Sequence, residues 1–372
     1  MKINYYKQPE IKALQKQLSS LEDDDTVHGI LLLACDANNY SPEKLDIILT
    51  SFTKPIFGGV FPGIIFNDHR YETGFIVMAC DWSPSLSLIE NLSSSETDFD
   101  GELIKLAKKY SDTNTMFIFI DGFAERVGAF IESIFSIFGL ENNYIGGGAG
   151  SLSLKQKPCI ITNEGLKQDC AIICGTTIKS GIGVKHGWET IAGPYKVTSA
   201  DKTIINELDN KPAFEVYKEA VDKYTGQSIG QDNFFDIAKG CPFGIEKIDA
   251  EKVVRDPLFL GENSSLICVG EVETGSFVNI LSGNKESLIQ AAGQAVTMAM
   301  QSMEGDPEHF IFFIDCISRV LFLENDFEQE IATVYSKSKN LPVFGALTIG
   351  EIANNGKDYL EFYNKTSVIG CF

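Results

Sequence analysis

Asp315-Cys316-Ile317-Ser318-Arg319 is the run whose residue types most suggest chemistry. It follows the apolar stretch Phe310 to Ile314, which reads as a buried strand, and α/β folds tend to present ligands beyond such strand ends. A guanidinium there can grip a carboxylate through two parallel hydrogen bonds. Asp315 or Glu351 could receive an ammonium group, so the set suits an amino-acid-like ligand. The alternative is that Arg319 and Asp315 pair with each other or cap a turn. Cys316 is a nucleophile only if a base lowers its thiol pKa. His309 precedes the same strand and belongs at its far end.

His186, in Lys185-His186-Gly187-Trp188, is the other residue of interest among four histidines. An imidazole beside an aromatic could ligate haem iron, or it could be a hydrogen-bonded structural histidine. His28 and His69 have no supporting context. Signatures of common enzymes are missing. No glycine loop runs into Lys-Ser/Thr, and Gly146 to Gly150 lacks the spacing of a dinucleotide fingerprint. No paired CxxC or HExxH occurs. Cys170 and Cys174 share a strand-like run, which sets them roughly 13 Å apart, too far to chelate one metal. A non-enzymatic protein without a resident cofactor is therefore expected, with haem on His186 as the alternative.

Charge narrows the partners. Acidic residues outnumber basic ones 51 to 31 in 372 residues, a formal net charge of −20. Such a surface repels phosphate backbones, so nucleic acid is excluded as an expected partner. No apolar run approaches the ~20 residues of a membrane helix, and Met1 to Asp25 has no apolar signal core. A cytoplasmic protein is the expectation, with its nine cysteines reduced.

The elements that must position these residues recur in order. Three segments each show an apolar strand, a polar break, a helix, a strand running into glycines, a hairpin and a closing strand. The first runs from Gly29 to Asp81, with Gly58-Gly59-Val60-Phe61-Pro62-Gly63 as its glycine run. The second runs from Met116 to Gly175, with Gly146-Gly147-Gly148-Ala149-Gly150-Ser151. The third runs from His309 to the C-terminus, with Val343-Phe344-Gly345 and Gly350-Glu351. The glycines mark bends, bulges or places where a ligand or another backbone comes close. Gly59, Gly147, Gly148 and Gly345 are accordingly candidate ligand-binding positions beside Asp315, Cys316, Arg319 and Glu351.

Between the second and third segments, Trp188 to Leu208 alternates as hairpins do. Lys211-Pro212 opens a helix, Pro242 to Ile280 forms further sheet, and a helix runs from about Asn284 to Met303. Ser93 to Asp100 and Asp232 to Gly240 read as loops. Ile11, Leu14, Leu18 and Leu21 recur at helical spacing. The expected organisation is an N-terminal helix (1–26) and two domains (27–205 and 206–372). Each domain is of α/β or α+β type, with mixed sheets flanked by helices and built from the repeated strand-helix-strand-strand unit.

Taken in order, these runs resemble the FIST family (F-box and intracellular signal transduction proteins). The first two glycine runs resemble its N-terminal domain. Gly183 to Trp188, Lys196 to Ala200 and Glu207 to Tyr217 resemble the passage between halves. Asp315 to Arg319, Pro342 to Gly345, Gly350 to Ile352 and Asn364-Lys365-Thr366 resemble its C-terminal domain. The resemblance implies a sensory module for a small ligand such as an amino acid. It also implies a signalling partner such as a histidine kinase or chemoreceptor. In some bacterial members it implies a haem-dependent nitric-oxide sensor acting on a partner kinase. No fused output domain is expected beyond the FIST-like region, and signalling by non-covalent contact is expected with it.

Overall fold

The three repeated segments fold alike in the computed structural model, which describes residues 1–247, 251–303, 305, 307, 309–354 and 359–372. In the first unit, strand Gly29–Cys35 leads through helix Pro42–Leu49 to strand Ile56–Phe61, and strand Phe75–Cys80 closes the unit. In the second these elements are Thr115–Asp121, Val127–Phe138, Asn143–Ala149 and Cys170–Thr176. In the third they are Ile311–Cys316, two helices (Ile317–Leu323 and Phe327–Ser336), Val343–Thr348 and Ser367–Cys371. In every unit the two strands joined by helix are parallel, and the closing strand returns antiparallel beside the first. The first strands are buried along their whole length, which explains their continuous apolar character.

Each unit's hairpin leaves home. Gly63–Phe66 of the first unit pairs with Val343–Thr348 of the third. Ile160–Thr162 of the second pairs with Ile56–Phe61 of the first. Glu351–Ala353 of the third pairs with Asn143–Ala149 of the second. The exchange runs in a closed ring, so three six-stranded sheets each hold strands from two units. Strands from either side of residues 205/206 therefore share sheets.

One glycine recurs for one reason. Gly58, Gly146 and Gly345 face Leu32, Ile118 and Phe313 on the neighbouring parallel strands. A Cβ at these positions would lie 2.0, 1.8 and 1.7 Å from the facing carbonyl oxygens, so no side chain fits. Among the sheets, the Phe117 ring contacts those of Phe57, Phe312 and Phe372.

A fourth sheet of seven strands is built from residues 189–282 and carries helix Ala213–Thr225. Helix Lys285–Ser302 begins where the Asn284 Oδ1 accepts from the Ser287 N–H at 2.8 Å. It packs against strand Gly181–Lys185 through Ala295 and Ala299, whose carbonyls lie where a Cβ of Gly183 or Gly181 would stand.

The N-terminal segment differs from expectation. Helix Ile11–Glu22 forms and buries Leu14 and Leu18, but Lys2–Tyr6 before it is a strand pairing with Phe75–Cys80. Asp232 to Gly240, expected as loop, contains the short helix Phe234–Ala238. All nine cysteines are buried and free, and Cys170 and Cys174 lie on one strand.

Gly345→Ala is expected to lower stability by about 3 kcal/mol, because the strand pair must part to admit one methyl group. Urea unfolding measures this directly. A loss under about 0.5 kcal/mol would show that the close approach carries no constraint.

Candidate functional site

A cleft of about 730 Å³ opens beyond the carboxyl ends of two parallel strands, Thr115–Asp121 and Ile311–Cys316. Gly122 to Gly128 forms one wall, and Cys316 at its strand end, with Ser318 and Leu321 on helix Ile317–Leu323, forms a second. Ile349-Gly350 closes the floor. The fourth sheet contributes Arg255, Phe259, Cys268 and Glu271. Phe123, Phe235 and Phe362 make the interior largely apolar, as in most small-molecule sites. Gly350 has φ +88°, and a Cβ there would meet the Phe362 ring at 2.1 Å. Glycine is thus required for the floor to close under that ring.

Cys316 lines this cleft; Asp315, Arg319 and Glu351 do not. They form a buried layer behind it, and the physical reason lies in their hydrogen bonds. Arg319 is fully buried. Its Nε and Nη2 bond the two Glu330 carboxylate oxygens at 3.0 and 2.6 Å. Nη1 donates to the His186 and Lys365 carbonyls at 2.7 and 3.2 Å, and Nη2 also donates to the Leu288 carbonyl at 2.9 Å. All five guanidinium N–H groups are spent inside the protein, leaving none to grip a ligand. The Arg319–Asp315 pair is present, with Nε 3.2 Å from Asp315 Oδ1. That oxygen also accepts from the Cys316 N–H and the Ser367 hydroxyl. Burial, then the nearby Glu330 carboxylate, holds the Asp315 carboxyl well above its usual range.

Glu351 accepts from the Thr348 hydroxyl at 3.0 Å and the Thr366 N–H at 3.2 Å. Burial lifts its carboxyl to about 8, against the pull of hydrogen bonds from Thr348 and Cys316. Burial also raises the Cys316 thiol well above the ordinary value, the opposite of what a thiolate nucleophile needs. Gly147 and Gly148 press on the cleft floor from behind: Gly148 N–H donates to the Gly350 carbonyl at 2.8 Å, and Ile349 N–H donates back to Gly148 at 2.8 Å. Gly345 and Gly59 lie away from the cleft. Gly345 admits the Phe313 carbonyl, and Gly59 admits Ala149, Phe61 and the Cys159 carbonyl.

His186 is also outside the cleft. Its Nδ1 accepts the Trp188 N–H at 2.8 Å, and its Nε2 lies 3.2 Å from Glu251. Burial lowers the ring to about 4, so it is neutral, with the Nε2 proton directed at Glu251. Haem ligation would require one of these bonds to be surrendered.

The chain matches the FIST N domain over residues 30–211 and the FIST C domain over residues 213–354. It belongs to the FIST family. FIST domains are associated with sensing in signal transduction. An uncharacterized protein of Methanocaldococcus jannaschii is 23% identical over 352 residues, a match covering 84% of this chain and 66% of that protein.

In this FIST protein the residues that sequence reasoning missed come from the fourth sheet and the last turn. Arg255 is 7% exposed. Its Nε donates to the Glu271 carbonyl at 2.8 Å, and its Nη1 donates to the Val254 and Phe362 carbonyls at 3.0 and 2.9 Å. Gly270, at φ +82°, leaves room for the guanidinium. Asn364, 1% exposed, lines the cleft with neither amide atom hydrogen-bonded. Lys365, fully buried, stands 3.1 Å from Asp256. The available signal was a charged pair, Arg255-Asp256, inside an otherwise apolar strand.

Arg319→Met is expected to cost about 3–5 kcal/mol in denaturant unfolding, because Glu330 is left buried without its partner. Glu351 gives a pH signature. Folded, it keeps its proton to about pH 8, whereas a solvated glutamate carboxyl loses it near 4.5. Protonation therefore favours the native state, and this contribution is lost as pH rises from about 4.5 to about 8. Glu351→Gln should flatten the fall in stability across that window; an unchanged profile would exclude Glu351 as its source.

Proposed function

We propose that this protein is a sensor whose small organic ligand occupies the cleft at the meeting of the second unit, the third unit and the fourth sheet. The observation that carries this is convergence. Ile349-Gly350, the Cys316 turn and the loop after Asp121 come together around one apolar hollow with a few polar groups. Family membership supports a sensory role, and the cleft supplies a place for the signal to enter. An amino acid is the first ligand class to test, with Glu271 available to its ammonium. Glu271 is half-buried in the cleft, and burial raises its carboxyl.

Output passes to a separate signalling protein, such as a histidine kinase or chemoreceptor, by non-covalent contact. Occupancy changes how the fourth sheet sits on the walls formed by the other two units, and the partner responds to that change. The bound state is favoured by the ligand's differential affinity for it.

A thermal-shift screen of amino acids and other small metabolites should find a ligand that raises the melting temperature. Saturation at about 100 times Kd adds about 2.7 kcal/mol to stability. Leu321→Trp, on the partly exposed rim, should fill the cleft and abolish that shift while the variant stays folded. A shift of full size in Leu321→Trp would place the ligand elsewhere.

A further inference from the structure

Arg255 is a buried cation with an incomplete set of partners. Three main-chain carbonyls hold its Nε and Nη1. Its Nη2 has no hydrogen bond to any described residue, and among the described residues no carboxylate lies within ion-pair distance of the guanidinium. Buried guanidinium groups are ordinarily paired. The contrast with Arg319 is direct: there every donor is used and two carboxyl groups stand against the charge. At Arg255 the carbonyls fix the plane of the fork and leave one nitrogen unclaimed. The residue lines the cleft. A second unclaimed polar group, the Asn364 amide, lines the same cleft with its oxygen and nitrogen both unpartnered.

We infer that Arg255 is the anion anchor of the cleft, and that the ligand is a monocarboxylate with an apolar body. This rests on the sensory reading of the same cleft. One carboxylate oxygen meets Arg255 Nη2, and the Asn364 amide nitrogen is the second donor available to it. The apolar body lies among Phe123, Phe235, Phe259 and Ile349. A dianion fits poorly, because the Glu271 and Glu125 carboxyls share the cleft, the other lining cation, Lys202, is paired with Glu125 at 3.4 Å, and a single guanidinium nitrogen is free. An α-amino acid and a simple aryl or alkyl acid offer the same anchor group, and they differ in whether Glu271 has an ammonium to meet.

Calorimetric titration of the full chain with a matched set of probes tests this. The set is phenylalanine, 3-phenylpropanoate, 3-phenylpropanamide, 2-phenylethylamine and phenyl phosphate, with the leucine-sized series run alongside. At least one carboxylate should bind, and the corresponding amide should bind at least about tenfold more weakly, as expected when a charge-assisted hydrogen bond is lost. Tighter binding of phenylalanine than of 3-phenylpropanoate identifies the amino-acid source, and the reverse order identifies a simple acid. Arg255→Gln should reduce carboxylate binding at least about tenfold and amide binding by less, so that the acid-to-amide ratio falls toward one. The acid-to-amide comparison on the native chain stands even if that variant fails to fold. Equal binding of acid and amide, or preference for the amine or the phosphate, overturns the anchor assignment while leaving the sensory reading intact. No binding by any carboxylate in either series overturns it too, and silence across a broad metabolite screen removes the sensory reading with it.

Discussion

The site depends on how Arg319 is buried. Taking a guanidinium out of water costs several kcal/mol, and only a nearly complete set of partners offsets that. Here the partners come from five places in the chain: the His186 carbonyl after strand Gly181–Lys185, the Leu288 carbonyl in helix Lys285–Ser302, Glu330 in helix Phe327–Ser336, Asp315 at its strand end, and the Lys365 carbonyl. None of these elements can shift far without stranding a buried charge. The Lys365 carbonyl also accepts the Trp188 indole N–H, so the last turn is held from two sides. Arg319 therefore fixes the base of helix Ile317–Leu323, and that helix carries Cys316's neighbours Ser318 and Leu321 into the cleft wall.

A second constraint comes from the ring of exchanged hairpins. A strand that leaves its own sheet to extend another must bend sharply and pass close to a foreign backbone. The glycine runs lie at these crossings. Gly148 exchanges hydrogen bonds with the Ile349-Gly350 turn of the third unit, while Gly146 and Gly345 in the same runs sit under carbonyls of their own units' first strands, Ile118 and Phe313. The cleft floor is thus a by-product of the exchange: the third unit's chain turns at Gly350 precisely where it leaves to join the second unit's sheet. The carboxyl ends of two units' first strands then open toward one hollow, and the fourth sheet covers it.

Much of this was legible in the sequence. The three repeated units, their strands and most of their helices follow from apolar runs bounded by glycine, proline and polar breaks. The destination of each hairpin was not legible, because Gly63–Phe66 and Glu351–Ala353 look the same whether they fold back at home or extend a neighbour. The site was half legible. The turn at Cys316 and the glycines near Gly350 do meet at the cleft. Arg319 was ambiguous, since Asp315 was its only partner in local sequence; Glu330 and the three carbonyls become neighbours only in the fold. Lys2–Tyr6 was missed because five residues of mixed polarity carry little strand signal until an edge such as Phe75–Cys80 is available to pair with.

Two buried arginines in one protein show how burial and function separate. Arg319 and Arg255 are both charged groups in nearly dry surroundings, and both are oriented by main-chain carbonyls. At Arg319 the charge is answered within the chain, and the residue acts as a fastener. At Arg255 the carbonyls satisfy only part of the donor set, and the Asp256 beside it in sequence is drawn to Lys365 instead. That diversion matters. An aspartate adjacent to an arginine could have neutralised it, but successive strand residues point to opposite faces. Asp256 therefore faces the last turn while Arg255 faces the cleft. The same period-two geometry that hides the aspartate from its neighbour leaves a positive charge at the edge of an apolar hollow in a strongly acidic protein. Under the anchor proposal, that charge is the group an incoming carboxylate meets in the cleft.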